Sequence, residues 1–236
     1  MVAAIILLSL GAIMSGVFIV SKVTNYSLKT ILFKTIASLF FVALGVYCVA
    51  ITSGHTTFKV LVLLGLIFGM LGDVFLGFKY ITTKTKKLWI LLGGFAFGAG
   101  HIFYIVALFM EYYVPGQYWF AILPFITALT ICVIYFLIAH KAGIEFGKKL
   151  LPFALFYLLC LSSMLSSSFY MALLHKFSIV TGVMFFIGSA FFAASDIMLT
   201  GSYFKAGQRP KAYLAVYSVC YYLAQFIIAF SLFFLA

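Results

Sequence analysis

Long apolar stretches separated by short polar ones run the whole length of the chain. Stretches of roughly 20 residues, the length a helix needs to cross a hydrocarbon layer about 30 Å thick, fall at 2–20, 29–51, 58–78, 88–110, 117–139, 150–171, 177–201 and 211–235. Backbone in lipid must satisfy its own hydrogen bonds, so apolar stretches of this length predict helices. The expected fold is all-α: a polytopic membrane protein whose residues 1–236 form a single domain, a bundle of eight transmembrane helices. Pro152 and Pro210 fall near the starts of the sixth and eighth stretches, where a missing N–H does little harm. The first stretch has no basic segment ahead of it and is as long as the later ones, which reads as a retained span rather than a cleaved signal.

Composition points the same way. Hydrophobic residues make up 66% and charged residues 8%, with a mean hydropathy of +1.25, against about 25% charged residues in a soluble domain. The formal charge of +11 is distributed unevenly. Lys22, Lys29, Lys79, Lys84, Lys86, Lys87, Lys141, Lys148, Lys149, Lys205, Arg209 and Lys211 fall in or beside the first, third, fifth and seventh loops, while the other side holds Lys59 and Lys176. The positive-inside rule then makes the odd-numbered loops cytoplasmic and puts both termini on the opposite face. This charge is a topology signal and an attraction to anionic membrane lipids, and no nucleic-acid partner is expected. Trp89 and Trp119 sit near span ends, as interfacial aromatics do. Compact loops without a retention signal favour a bacterial inner membrane, or the endoplasmic reticulum in a eukaryote.

Cys48, Cys132, Cys160 and Cys220 each occupy a different span and form no CxxC pair, which reads as apolar core thiols. No His, Cys and acid spacing suggests a metal site, and no cofactor is expected.

The chemistry is concentrated in the acids. Only four residues are Asp or Glu, and two of them, Asp73 in GMLGDVFLG and Asp196 in FAASDIMLTG, lie within apolar spans. Each costs about 2.5–3.5 kcal/mol at the centre of a bilayer helix, which makes it a functional candidate. At 1.5 Å per residue both lie roughly 9–14 Å below the following basic loop residue, on helices that run in the same direction. Their surroundings match: Phe68 with Phe191, Gly72 with Ser195, Val74 with Ile197 and Leu76 with Leu199. A four-plus-four parallel repeat would make the two carboxyls equivalent. Gly65 and Gly69 share a face with Asp73, and Ser189, Phe192 and Ala193 share one with Asp196. Gly94, Gly98, His101 and Tyr104 line one side of the fourth helix, and Ser218, Tyr221, Tyr222 and Gln225 one side of the eighth. Each has a plainer reading: helix-packing aspartates, a satisfied core histidine, a snorkelling Lys34, and Tyr157, Tyr222 and Gln225 as interhelical hydrogen bonders. Glu111 and Glu145 read as ordinary solvated charges.

Several of these segments together resemble the YhhN-like lysoplasmalogenases. They are Gly65-Leu66 through Gly72-Asp73-Val74-Phe75-Leu76, Phe97 through Tyr104, the Tyr157 to Met164 spacing, Gly188 through Phe192 with Ser195-Asp196, and Tyr221-Tyr222-Leu223-Ala224-Gln225. One position departs from that pattern: the family carries a proline shortly after the helix-two lysine, whereas Lys34 is followed by Thr35 and Ile36. The resemblance implies an eight-helix hydrolase that opens the vinyl ether bond of a lysophospholipid substrate drawn from the bilayer. Asp73 and Asp196 would share the general acid and base roles, with the donor of the pair left open. His101, Tyr104, Tyr157, Tyr222 and Gln225 would orient water or bind the glycerol backbone, and an inward-facing Lys34 would meet the headgroup phosphate. A different class, a proton-coupled transporter with the aspartates as proton carriers, also suits intramembrane acids. An intramembrane aspartyl protease does not, because its proline-alanine-leucine signature before the last helix is missing.

Overall fold

The computed structural model describes residues 1–148, 150–205, 207 and 209–235, so Lys149, one of the basic loop residues, lies outside the described residues. Eight helices long and apolar enough to cross a membrane follow one another: α1 (Val2–Thr24), α2 (Leu28–Ile51), α3 (Thr56–Phe78), α4 (Lys86–Tyr112), α5 (Tyr118–Lys141), α6 (Leu151–Leu174), α7 (Val180–Phe204) and α8 (Lys211–Ser231). The eight expected spans are all present.

Their ends move for local reasons. Helix α1 continues to Thr24 and is closed by the Asn25 N–H on the Ser21 carbonyl. Ser27 then starts α2 with a reciprocal bond to Thr30. Helix α6 runs three residues past its expected end and α7 starts three residues late. Between them Lys176 and Phe177 take left-handed backbone angles (φ 53 and 56°), and the Phe177 N–H returns to the Ala172 carbonyl, which ends a helix firmly.

Helices α1 to α4 pack in sequence, α4 then meets α6, α6 meets α7, α7 meets α8, and α8 closes the ring on α1 and α2. Helix α5 lies outside this ring against α6. Its outward residues, Leu129, Val133 and Leu137 among them, are exposed, as a lipid-facing surface should be in a bilayer. The pairing order of the first four helices recurs in the last four.

Glycines set the spacing of α3 against α4. A methyl group built on Gly100 would lie 3.0 Å from the Gly65 carbonyl oxygen, and one on Gly93 would lie 3.2 Å from that of Gly72. Backbones this close leave no room for a side chain between them, which is how small residues join helices in lipid, where hydrophobic burial supplies little drive. The register fixed here places Asp73 on α3 and His101 and Tyr104 on α4 against the same interior. Gly100→Ala is expected to destabilise the fold by about 1–3 kcal/mol through overpacking, read as a lower thermal midpoint in detergent. Gly16→Ala, where a methyl group meets nothing within 4 Å, is the matched control and should melt no lower than the parent.

Candidate active site

Asp73 is clasped from two helices. Lys34 and Ser38, one turn apart on α2, share a face. The Lys34 ammonium lies 2.8 Å from Asp73 Oδ1, and the Ser38 hydroxyl donates to Oδ2 at 2.5 Å. From α8, the Tyr221 phenol donates to the same Oδ2 at 2.6 Å. A second row of partners stands behind the phenol. Gln225, one turn further along α8, donates from Nε2 to the Tyr221 oxygen at 3.2 Å, and Tyr104 of α4 donates to Gln225 Oε1 at 3.3 Å. Tyr222 reaches the Lys34 carbonyl at 3.4 Å. Helix α2 runs unbroken through Thr35 and Ile36, and Lys34 faces Asp73.

Asp196 is held more lightly. The Tyr157 phenol of α6 donates to its Oδ2, and among the described residues its carboxyl meets no cation within ion-pair distance. His101 of α4 places Nε2 3.4 Å from the Tyr157 oxygen and stands edge-on to Phe192 at 4.8 Å. Its Nδ1 is buried without a hydrogen-bond partner. The two carboxyls are therefore unequal. One sits among an ammonium and two hydroxyls, an environment that suits an anion, and the other is held by a single phenol in an apolar wall.

Both aspartates line one cavity of about 120 Å³, together with Lys22, Lys34, Tyr157 and Tyr221. Phe97, Phe153, Leu158 and Leu161 extend its wall between α4 and α6. All the residues expected at the site take part in these two networks, at different depths. Lys34 and Tyr157 line the cavity, whereas His101, Tyr104, Tyr222 and Gln225 stand behind its wall, linked by hydrogen bonds to Tyr157, Tyr221 or Lys34. Tyr104, Gln225 and His101 Nε2 bond other side chains, the Tyr222 hydroxyl bonds the Lys34 backbone carbonyl, and His101 Nδ1 has no partner.

Ser38 is the partner that the sequence pattern missed, although its position one turn after Lys34 was a usable signal. Tyr221 was visible only as one of several polar residues on α8. One residue expected as a solvated charge, Glu111, and one counted only as a loop charge, Lys59, are also engaged. Glu111 bonds the His55 ring at the far end of the bundle, and buried Lys59 donates to the Thr52 carbonyl at 2.6 Å. Among the described residues, no three His, Cys, Asp or Glu side chains gather as metal ligands do, so no metal position is assigned.

Eight membrane-length helices around a cavity with two unequal carboxyls define a polytopic membrane protein with an intramembrane acid site. The chain belongs to the YhhN family, whose model matches residues 29–232. No curated protein and no solved structure matches it.

The Lys34 and Asp73 charges are expected to stabilise each other conditionally. Lys34→Met alone leaves a buried carboxylate unpaired and should cost about 3 kcal/mol or more. The double variant Lys34→Met with Asp73→Asn should recover much of that loss, read from unfolding midpoints in detergent as a double-mutant cycle.

Proposed function

We propose that the protein hydrolyses the vinyl ether bond of a lysoplasmalogen, a 1-alkenyl lysophosphatidylethanolamine or -choline, to a fatty aldehyde and the glycerophospho alcohol. The observation that carries this reading is the pair of unequal carboxyls on one intramembrane cavity, in a chain of the YhhN family.

Asp196, with one phenol donor and no cation beside it, is the proton donor. Its proton passes to the β-carbon of the vinyl ether, the carbon–carbon π bond breaks, and an oxocarbenium ion forms. Asp73, fixed as an anion by Lys34, Ser38 and Tyr221, stabilises that cation from the cavity wall, in the manner of preorganised charge in other enzymes. Water adds to the cationic carbon and gives its proton to Asp196, now a carboxylate, so that the acid of the first step is the base of the second. The hemiacetal then loses its hydroxyl proton while the glycerol oxygen gains one and departs. The sum is one water consumed, one aldehyde and one alcohol formed, and Asp196 protonated again. Tyr157 holds the donor in register, and His101 braces Tyr157 through a hydrogen bond. Tyr104 and Gln225 do the same for Tyr221.

The substrate is a membrane lipid, and the acids lie nearest the end of the bundle formed by the odd-numbered loops. By the charge bias of those loops this end faces the cytoplasm, in a bacterial inner membrane on the reading given above.

Purified protein in detergent is expected to release aldehyde from a 1-alkenyl lysophospholipid. Asp196→Asn, shown folded by its melting profile, should lower the rate by about 10²–10⁴-fold, the usual size of acid–base assistance, and folded Asp73→Asn by about 10²–10³-fold, for the lost charge stabilisation of the cation. Tyr157→Phe should lower it less, by roughly tenfold, for the loss of one charge-assisted hydrogen bond. A folded wild type that releases no aldehyde, yet moves protons with a solute in sealed vesicles, would replace this reading with the transporter.

A further inference from the structure

Two lysines at this end of the bundle, Lys22 on the cavity wall and Lys79 behind it, have no carboxylate partner. Lys22, two residues from the end of α1, lines the cavity, donates to the Ser218 hydroxyl at 2.7 Å and lies 3.9 Å above the Tyr217 ring. Lys79, the residue after α3, is 3% exposed and rests on the rings of Tyr203 and Tyr80, its ammonium 4.5 Å from the Tyr80 centroid. Both rings line the same cavity. Among the described residues the ion pairs are Lys34 with Asp73 and His55 with Glu111, so neither Lys22 nor Lys79 is neutralised by a side chain. Burial, and then the nearby charges of Lys34, Lys22 and Lys86, push the Lys79 ammonium well below its ordinary range. That shift disfavours the charged form of Lys79, and an anion beside it would restore the charge; Lys22, Lys34 and Lys79 thus gather basic groups at one end of a largely apolar cavity.

The depths are ordered. Measured from the helix ends, Lys79 and Lys22 lie within about 3 Å of the boundary, Asp73 about 8 Å and Asp196 about 12 Å inside it, at 1.5 Å per residue. In a 1-alkenyl lysophospholipid about seven bonds, roughly 8 Å when extended, separate phosphorus from the vinyl carbon that takes the proton. A phosphate held by Lys22 thus places that carbon at the depth of the acids. The tyrosine rings beneath the two ammoniums are already engaged by the protein's own cations, so they select for the anion of the headgroup rather than for its amine.

We propose that Lys22, on the cavity wall, forms a phosphate-binding subsite that anchors the lysophospholipid headgroup, with Lys79 adding its charge from behind the Tyr80 and Tyr203 rings, while Lys34 is committed to Asp73. The inference rests on the lipid reading of the site, and it adds a residue outside the stretch that the family model matches, because Lys22 precedes residue 29.

Binding can be tested without catalysis, using a 1-alkyl lysophosphatidylethanolamine that cannot be cleaved, with the full chain in detergent and thermal stabilisation across a lipid titration as the readout. Lys22→Met should weaken binding at least about tenfold, the size of one charge-assisted hydrogen bond, and Lys79→Met should weaken it by less. Lys22→Arg should keep it, and 1-alkylglycerol, which lacks the phosphate, should bind wild type and variants alike. Equal lysophospholipid affinity in wild type and Lys22→Met, each with an intact melting transition, would overturn the subsite. Stabilisation by inorganic phosphate as strong as by the lipid would overturn the lipid assignment. Binding that depends on Lys22 in a protein that releases no aldehyde would leave the subsite standing and remove the hydrolase reading alone.

Discussion

The contact between Lys34 and Asp73 is the constraint on which the interior depends. A carboxylate and an ammonium, 2.8 Å apart and far from bulk water, hold their charges only if the remaining lone pairs and protons are also satisfied. Ser38 and Tyr221 meet that need on Asp73, which obliges α2, α3 and α8 to keep a fixed relation. Gln225 and Tyr104 extend the requirement to α4. A network of this kind tolerates little slack, because each group it leaves unsatisfied costs more than an ordinary contact returns.

Glycine makes the geometry reachable. With Gly65 and Gly72 on α3 facing Gly100 and Gly93 on α4, the two backbones come close enough for Tyr104 to lie directly across Gly65 and for Phe97 to lie across Gly72. Aromatic rings thereby take the volume that side chains at those positions would have filled, and they wall the acids off on the α4 side. Phe97 and Phe192 each meet Tyr221 edge-on, so the phenol that holds Asp73 is fixed by packing as well as by hydrogen bonds. The other carboxyl lacks this clasp, and the chemical difference between Asp73 and Asp196 arises from which helices happen to face them.

The fold was legible because lipid imposes one rule along the whole chain, and the eight apolar stretches obey it. Helix ends were less legible where the backbone itself ends a helix, as at Lys176 and Phe177, since neither residue type announces a left-handed angle. The two aspartates stood out because charge is rare in this chain. Lys34 did not stand out in the same way: a lysine six residues into a helix is equally able to reach the interface, and only the position of α3 turns it inward. Ser38 was hidden among many small polar residues, and Lys22 and Lys79 were hidden by the topology signal, which gives every basic residue near a loop the same meaning. Their contacts depend on side chains from α8 and α7, and no local pattern encodes those.

The bond from Tyr221 to Asp73 spans 148 residues of sequence. A ribosome that adds about 5–20 residues per second needs roughly 7–30 s to travel between them. Lys34 and Ser38 are already made when Asp73 is synthesised, so the new carboxylate can pair with α2 at once and enter the bilayer as part of a neutral couple. The phenol arrives with the last helix. Until then the first four helices carry an acid that is compensated in charge but incompletely hydrogen-bonded, and the insertion of α8 supplies the missing donor. Helix α8 therefore supplies the last of the Asp73 donors, and the acid gains its full set of hydrogen bonds only once α8 packs against α2 and α3.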